Sequence, residues 1–205
     1  RNAAQDPANT TATFEQALAE LDALVDYLCG RFGKKKVVIV GHSYGSMLGS
    51  KYALTHPEKV AAYIGVGQVV TMESDLYSYQ HALETARAAG DDTSKMEAAH
   101  AKFMADGTLT SLMEMRNATS LYHQAEKEAN AILLGVASPY MGLDDLRWFF
   151  KQLGDMNDYM ALNKSLFDSI MSIDVRSFGM VYQMPVGFIT GSCDWTTPVK
   201  FAQEY

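Results

Sequence analysis

Gly41-His42-Ser43-Tyr44-Gly45 is the stretch of this sequence best suited to chemistry. A serine with glycines two residues to either side is the arrangement needed when a hydroxyl must stand clear of a tight turn between strand and helix. The turn strains the serine backbone and brings strand and helix close together, and glycine relieves that crowding. Such a hydroxyl can attack a carbonyl carbon. A helix opening just after it would aim backbone N–H groups, that of Tyr44 among them, at the oxygen on which negative charge develops. A bare G-x-S-x-G arises by chance in roughly one chain in ten to twenty of this length, so its context decides. Here it follows Val37-Val38-Ile39-Val40, a β-branched run suited to a strand buried on both faces, and residues 46–55 read as a helix stopped by His56-Pro57.

Asp194 is the second residue of interest. It lies just past an expected strand over residues 186–190, at the carboxyl edge where the loops of a parallel sheet meet a site. There a carboxylate would orient and stabilise a histidine; the other reading is a cap for a helix beginning near Pro198. No histidine follows Asp194. His42 lies inside the turn, His56 ends a helix, and His81, His100 and His123 fall in the long stretch between the strands; all five read as structural.

The elements that must position these residues are legible from pattern. Thr13 with Gln16 fits a capping box, after which Phe14, Leu18, Leu21, Leu24, Val25 and Leu28 fall on one helical face that Gly30 and Gly33 end. Residues 61–65 form a second short strand. Residues 68–185 then separate it from the third, far more than the single helix a parallel crossover needs, so an insertion is expected. The insertion reads as helices over 76–89, 93–105, 110–132, 143–153 and 160–171. Its stripes, Met113 with Met115 and Trp148 with Phe149 and Phe150, have the spacing of core packing. The expected organisation is a core of residues 1–67 and 186–205 with a helical cap over 68–185.

The formal charge of -7 and a pI near 5.2 offer no broad positive field for phosphate backbones or anionic lipid, which disfavours nucleic-acid and membrane roles. Apolar residues at 48% and charged residues at 20% predict a packed globular core. Cys29 and Cys193 are too few for a disulfide framework and are not spaced as paired metal ligands, and no run has signal-peptide or membrane-span character. The expected setting is a reducing cytoplasm, with no metal and no cofactor implied.

With Ser43 and Asp194 placed, the chain resembles the α/β-hydrolase superfamily, and within it the prolyl aminopeptidase (proline iminopeptidase) group. The resemblance is carried by V-V-I-V-G-H-S-Y-G-S, H-P-E-K-V and P-V-G-F-I-T-G-S-C-D-W-T-T-P, with Ser138-Pro139-Tyr140 and Leu143-Asp144-Asp145-Leu146 in the cap. It covers about residues 13–67 and 172–205. It implies an α/β fold, a partial parallel sheet flanked by helices with an inserted helical cap. It also implies Ser43 as nucleophile, Asp194 as acid and the Tyr44 N–H as one oxyanion donor. The substrate would be a small molecule or short peptide with an unblocked amino-terminal residue, its amine held by cap carboxylates among Glu73, Glu84, Asp144 and Asp145, with Trp148 as a further contact. The family's early strands, oxyanion loop and late histidine have no counterpart in this sequence, so the remaining segments of the core or a complementing chain are expected to supply them. Hydrolysis of a carboxylic ester, or a binding module without catalysis, are the alternatives.

Overall fold

Thr13 opens the first helix: its hydroxyl accepts the Gln16 N–H, and α1 runs over Phe14–Phe32 to Gly33, which takes the left-handed conformation that glycine tolerates. Only half of the expected capping box forms, because the Gln16 side chain donates forward to Glu20. Gly30 is carried inside the helix. The fold is that of a computed structural model, which describes residues 8–123, 138–139, 141–147 and 156–205.

Three strands, β1 (Val37–His42), β2 (Val60–Val66) and β3 (Val186–Ile189), form one parallel sheet in the order β1-β2-β3. β1 runs two residues past the expected end, so the strand delivers the chain directly to Ser43. Helix α2 (Tyr44–Thr55) lies so close to the sheet that a Cβ on Gly49 would sit 2.6 Å from the Tyr63 ring. One face of the sheet is closed by α1 and α2: Val25, Tyr52 and Ala53 pack on Val60 and Tyr63, flanked by Ile39, Val186 and Phe188. Side chains alternate along a strand, so Val38, Val40 and Ile189 point the other way, and they are 55%, 63% and 61% exposed.

Between β2 and β3 the chain forms α3 (Glu73–Ala89), α4 (Ser94–Asp106) and α5 (Leu109–Thr119), a 3₁₀ turn over Ser120–His123, and α6 (Met156–Leu162) and α7 (Lys164–Ile170). Helices α3 to α5 enclose an apolar cluster of their own, including Tyr79, Leu83, Met96, Leu112 and Met115. Met115 is core as its stripe predicts, whereas Met113 is exposed. The single helix expected over 110–132 changes to 3₁₀ at Ser120. The Thr119 and Ser120 hydroxyls turn back onto the carbonyls of Met115, Arg116 and Asn117 there, and residues 124–132 lie outside the described set. The helix expected over 160–171 is two, broken at Asn163, whose side-chain amide donates to the Tyr159 carbonyl. Residues 143–147 are helical; the rest of the helix expected to 153, with Trp148, Phe149 and Phe150, lies outside the described residues, as does Tyr140.

After α7 the chain returns to the sheet. The Val175 N–H donates to the Val70 carbonyl at 2.8 Å, and Val175 is buried with Phe14 and Met47. Beyond β3, α8 (Val199–Glu204) completes the elements.

Candidate active site

Ser43 sits between the last residue of β1 and the first of α2 with φ 52° and ψ -122°, a conformation that a non-glycine residue holds only when its surroundings over-determine it. The surroundings do. The Ser43 N–H donates to the Val66 carbonyl at 3.0 Å, and its carbonyl accepts from the Ser46 N–H at 2.8 Å and the Ser46 hydroxyl at 2.6 Å. The Ser46 hydroxyl in turn accepts the Val69 N–H at 2.9 Å, which ties the turn to the segment leaving β2. Ser46 is fully buried, and the sequence alone did not single it out.

The crowding that the motif glycines were expected to relieve is one-sided. A Cβ on Gly41 would lie 2.3 Å from the Gly45 carbonyl oxygen, while one on Gly45 would meet nothing within 4 Å. Tyr44, as the first residue of α2, has an N–H with no carbonyl a turn back to accept it, the property an oxyanion donor needs. Its phenol oxygen is buried without a hydrogen-bond partner among the described residues, and burial pushes the hydroxyl up to about 12.

Asp194 stands beyond the carboxyl end of β3. One carboxylate oxygen accepts the Thr196 and Thr197 N–H groups at 3.0 and 2.8 Å, and the other accepts the Thr197 hydroxyl at 2.5 Å. Its carboxylate therefore organises the 194–197 turn. It does not cap α8, whose cap position is Pro198. The end of β2 lies between the two candidates. Val66 holds the Ser43 N–H, and a Cβ on Gly67 would come within 3.5 Å of an Asp194 carboxylate oxygen. Ser43 and Asp194 thus share the carboxyl edge of the sheet on either side of its central strand.

A cavity of about 430 Å3 opens between this edge and helices α3 and α5, with Asp75, Ser78, Arg116, His123, Asp194 and Trp195 in its wall. Asp75, only 3% exposed, receives two hydrogen bonds from the Arg116 guanidinium at 2.6 and 3.0 Å. The His123 Nε2–H donates to the Ser78 carbonyl at 2.9 Å, and burial lowers the affinity of this imidazole for a proton. None of the four carboxylates expected to meet substrate lines this cavity. Glu73 pairs with Arg176, Glu84 accepts from Gln80, Asp144 pairs with Arg147, and Asp145 accepts the Gly142 N–H. Trp148 lies outside the described residues. The sequence reading did not single out Asp75, which stands in register with Tyr79, Ala82 and Ala86 on the buried face of α3.

Four of the five histidines engage rings: His56 lies against Tyr52, His100 against Tyr79, and His81 and His123 both beside Trp195. Among the described residues none hydrogen-bonds Ser43 or Asp194, and no group of three potential ligands is placed to hold a metal ion. Among them also, no helix is long and apolar enough to cross a membrane.

Solved structures resemble the chain at low identity. A proline iminopeptidase of Mycobacterium smegmatis superposes with a TM-score of 0.55 at 18% identity, over 95% of this chain and 60% of that one. A mutant epoxide hydrolase of Vigna radiata gives 0.47 at 18% identity, over 95% and 64%, and a homoserine O-acetyltransferase of Bacillus anthracis gives 0.44 at 15%, over 94% and 54%. The chain thus spans about 60% of the length of the iminopeptidase it resembles in fold. A comparison with curated proteins returns no match. The family model of the alpha/beta hydrolase fold matches residues 3–204, with the serine turn, parallel sheet and helical insertion all inside it, and the chain belongs to the α/β-hydrolase fold family.

Proposed function

We propose that this chain carries the nucleophile and the acid of a serine hydrolase acting on a small acyl substrate, most specifically an aminopeptidase that releases an amino-terminal, proline-type residue. The observation that carries this reading is the pinned, strained backbone of Ser43 at the mouth of α2, opposite Asp194 across the end of β2. Ser43 Oγ attacks the carbonyl carbon and its proton passes to a histidine. The Oγ–C bond forms as the bond to the leaving amine breaks, and the amine departs with that proton. Water then releases the acyl group by the reverse sequence. The Tyr44 N–H contributes to the oxyanion hole and Asp194 orients the histidine. That histidine and the second oxyanion donor come from polypeptide outside residues 1–205, either the rest of the same core or a complementing chain. The aminopeptidase reading draws on the sequence resemblance and agrees with the name of the iminopeptidase above, whose likeness extends to fold.

The test is fluorophosphonate labelling of the full-length protein, with turnover of amino-terminal proline and simple ester substrates. Label is expected on Ser43 alone, proline substrates are expected to be preferred, and Asp194→Asn is expected to lower kcat by about 10⁴ with folding intact. Label on another serine, or undiminished turnover in Ser43→Ala, would sink the assignment; preference for esters would move the substrate class and keep the mechanism.

A further inference from the structure

Trp195 follows Asp194 in the chain and is gripped from the cap by one helix. The Ser78 hydroxyl, buried to 3% exposure, donates to the Trp195 carbonyl at 2.7 Å. The Trp195 ring lies 4.0 Å from His81 with planes 10° apart, and Tyr77 is nearly parallel to it at 6.3 Å. Tyr77, Ser78 and His81 all belong to α3, and His123 adds a third near-parallel ring at 5.2 Å while bonding the Ser78 carbonyl.

The backbone geometry gives this grip a consequence. Asp194 accepts from the amides of Thr196 and Thr197, so Trp195 sits between the carboxylate and the donors that orient it. A surface turn is mobile unless anchored, and a catalytic group must be held to within about 0.5 Å of its productive position. A hydrogen bond to a backbone carbonyl inside that turn, backed by stacking on the same residue's side chain, is an anchor of the required kind, and its other end is in the cap.

We propose that Ser78 and Trp195 form a positioning clamp through which helix α3 of the cap fixes the 194–197 turn and with it the Asp194 carboxylate. The catalytic consequence rests on Asp194 being the acid; the clamp itself does not. In this arrangement the cap sets the geometry of the core acid, so cap and chemistry are coupled through the turn.

The test uses Ser78→Ala in the full-length protein, read by amide hydrogen exchange at Thr196 and Thr197 and by kcat and KM. Loss of the buried hydroxyl is expected to speed exchange at both amides about tenfold and to lower kcat by a similar factor with KM unchanged. Ser78→Thr, which keeps a hydroxyl, is expected to restore both. Ser177→Ala, whose hydroxyl serves the Asp174 carbonyl away from this turn, is expected to change neither. Unchanged exchange in Ser78→Ala overturns the clamp whatever the turnover. Faster exchange with unchanged kcat, in an enzyme that Asp194→Asn does inactivate, overturns its catalytic role. Should Asp194→Asn leave turnover intact, the acid assignment fails, and exchange alone still decides the clamp.

Discussion

A Cβ placed 2.3 Å from a carbonyl oxygen cannot be accommodated by a side-chain adjustment, because the obstacle is backbone. The two motif glycines are therefore unequal. Gly41→Ala must push β1 away from α2 and is expected to cost about 3 kcal/mol or more, whereas Gly45→Ala gains helix propensity in open space and is expected to be neutral or stabilising by up to about 1 kcal/mol. Urea unfolding of the two variants in the full-length protein checks this, and equal losses would mean that segments beyond those described crowd Gly45 as well. At this scale the sequence was informative where chemistry imposes spacing. Gly41, Ser43 and Asp194 stood out because a tight strand-to-helix turn and a residue just past a strand at the carboxyl edge of a parallel sheet have positional rules. Ser46 and Ser78 did not, because a serine inside a helix carries no signal of its own; each is defined by a partner far along the chain, Val69 for one and Trp195 for the other.

Among elements, legibility follows whether the determinants are local. The start of α1 and its end at Gly33 were readable from cap chemistry, β1 from its β-branched run, and β3 from the Pro185 and Gly191 that bound it. The break after Thr119 and the one at Asn163 were not, because hydroxyl and amide side chains that fold back on the helix look the same in sequence as those that point to solvent. The 3₁₀ turn after Thr119 is what brings His123 to Ser78 and gives this region a pH dependence. Burial holds the His123 imidazole toward its neutral form, opposed by its bond to the Ser78 carbonyl and aided by neighbouring His81, so its folded pKa lies below the ordinary value of 6.5. Above that value both folded and unfolded chains are neutral here and stability is fully present. As pH falls below it the unfolded chain takes up a proton that the fold resists, so stability is lost on acidification. His123→Gln keeps a donor for the Ser78 carbonyl and removes the titration. Between pH 7 and 5 it is expected to lose less stability than the parent, as measured by denaturant midpoints at each pH. An identical slope in the two proteins would show that His123 titrates normally.

For the whole molecule the decisive feature is that, among the described residues, helices cover one face of a parallel sheet. Such sheets are ordinarily buried on both sides, and here Val38, Val40 and Ile189 stand more than half exposed on the uncovered one. Among the described residues β1 and β3 are also both edges, each with backbone N–H and C=O groups facing outward beside apolar side chains. The same face-by-face pattern explains a limit of the sequence reading: the run Val37-Val38-Ile39-Val40 announced a strand made for two-sided burial, while nothing in it names what covers the second side. Residues 1–205 alone are therefore expected to associate in a concentration-dependent way and to hydrolyse amino-terminal proline and simple ester substrates only at the residual rate that a serine without its base retains. Light scattering with parallel activity assays measures both. Val40→Lys places a charge on the exposed face without touching the Val25 and Tyr63 side, so it is expected to shift the population toward monomer with the far-ultraviolet circular dichroism unchanged. If the unmodified residues gave a cooperatively folding monomer with normal turnover, the open face would be a solvent face and a base would have to exist among the five histidines. If Val40→Lys unfolded the chain instead of dispersing it, Val40 would belong to packing that the observed exposure denies.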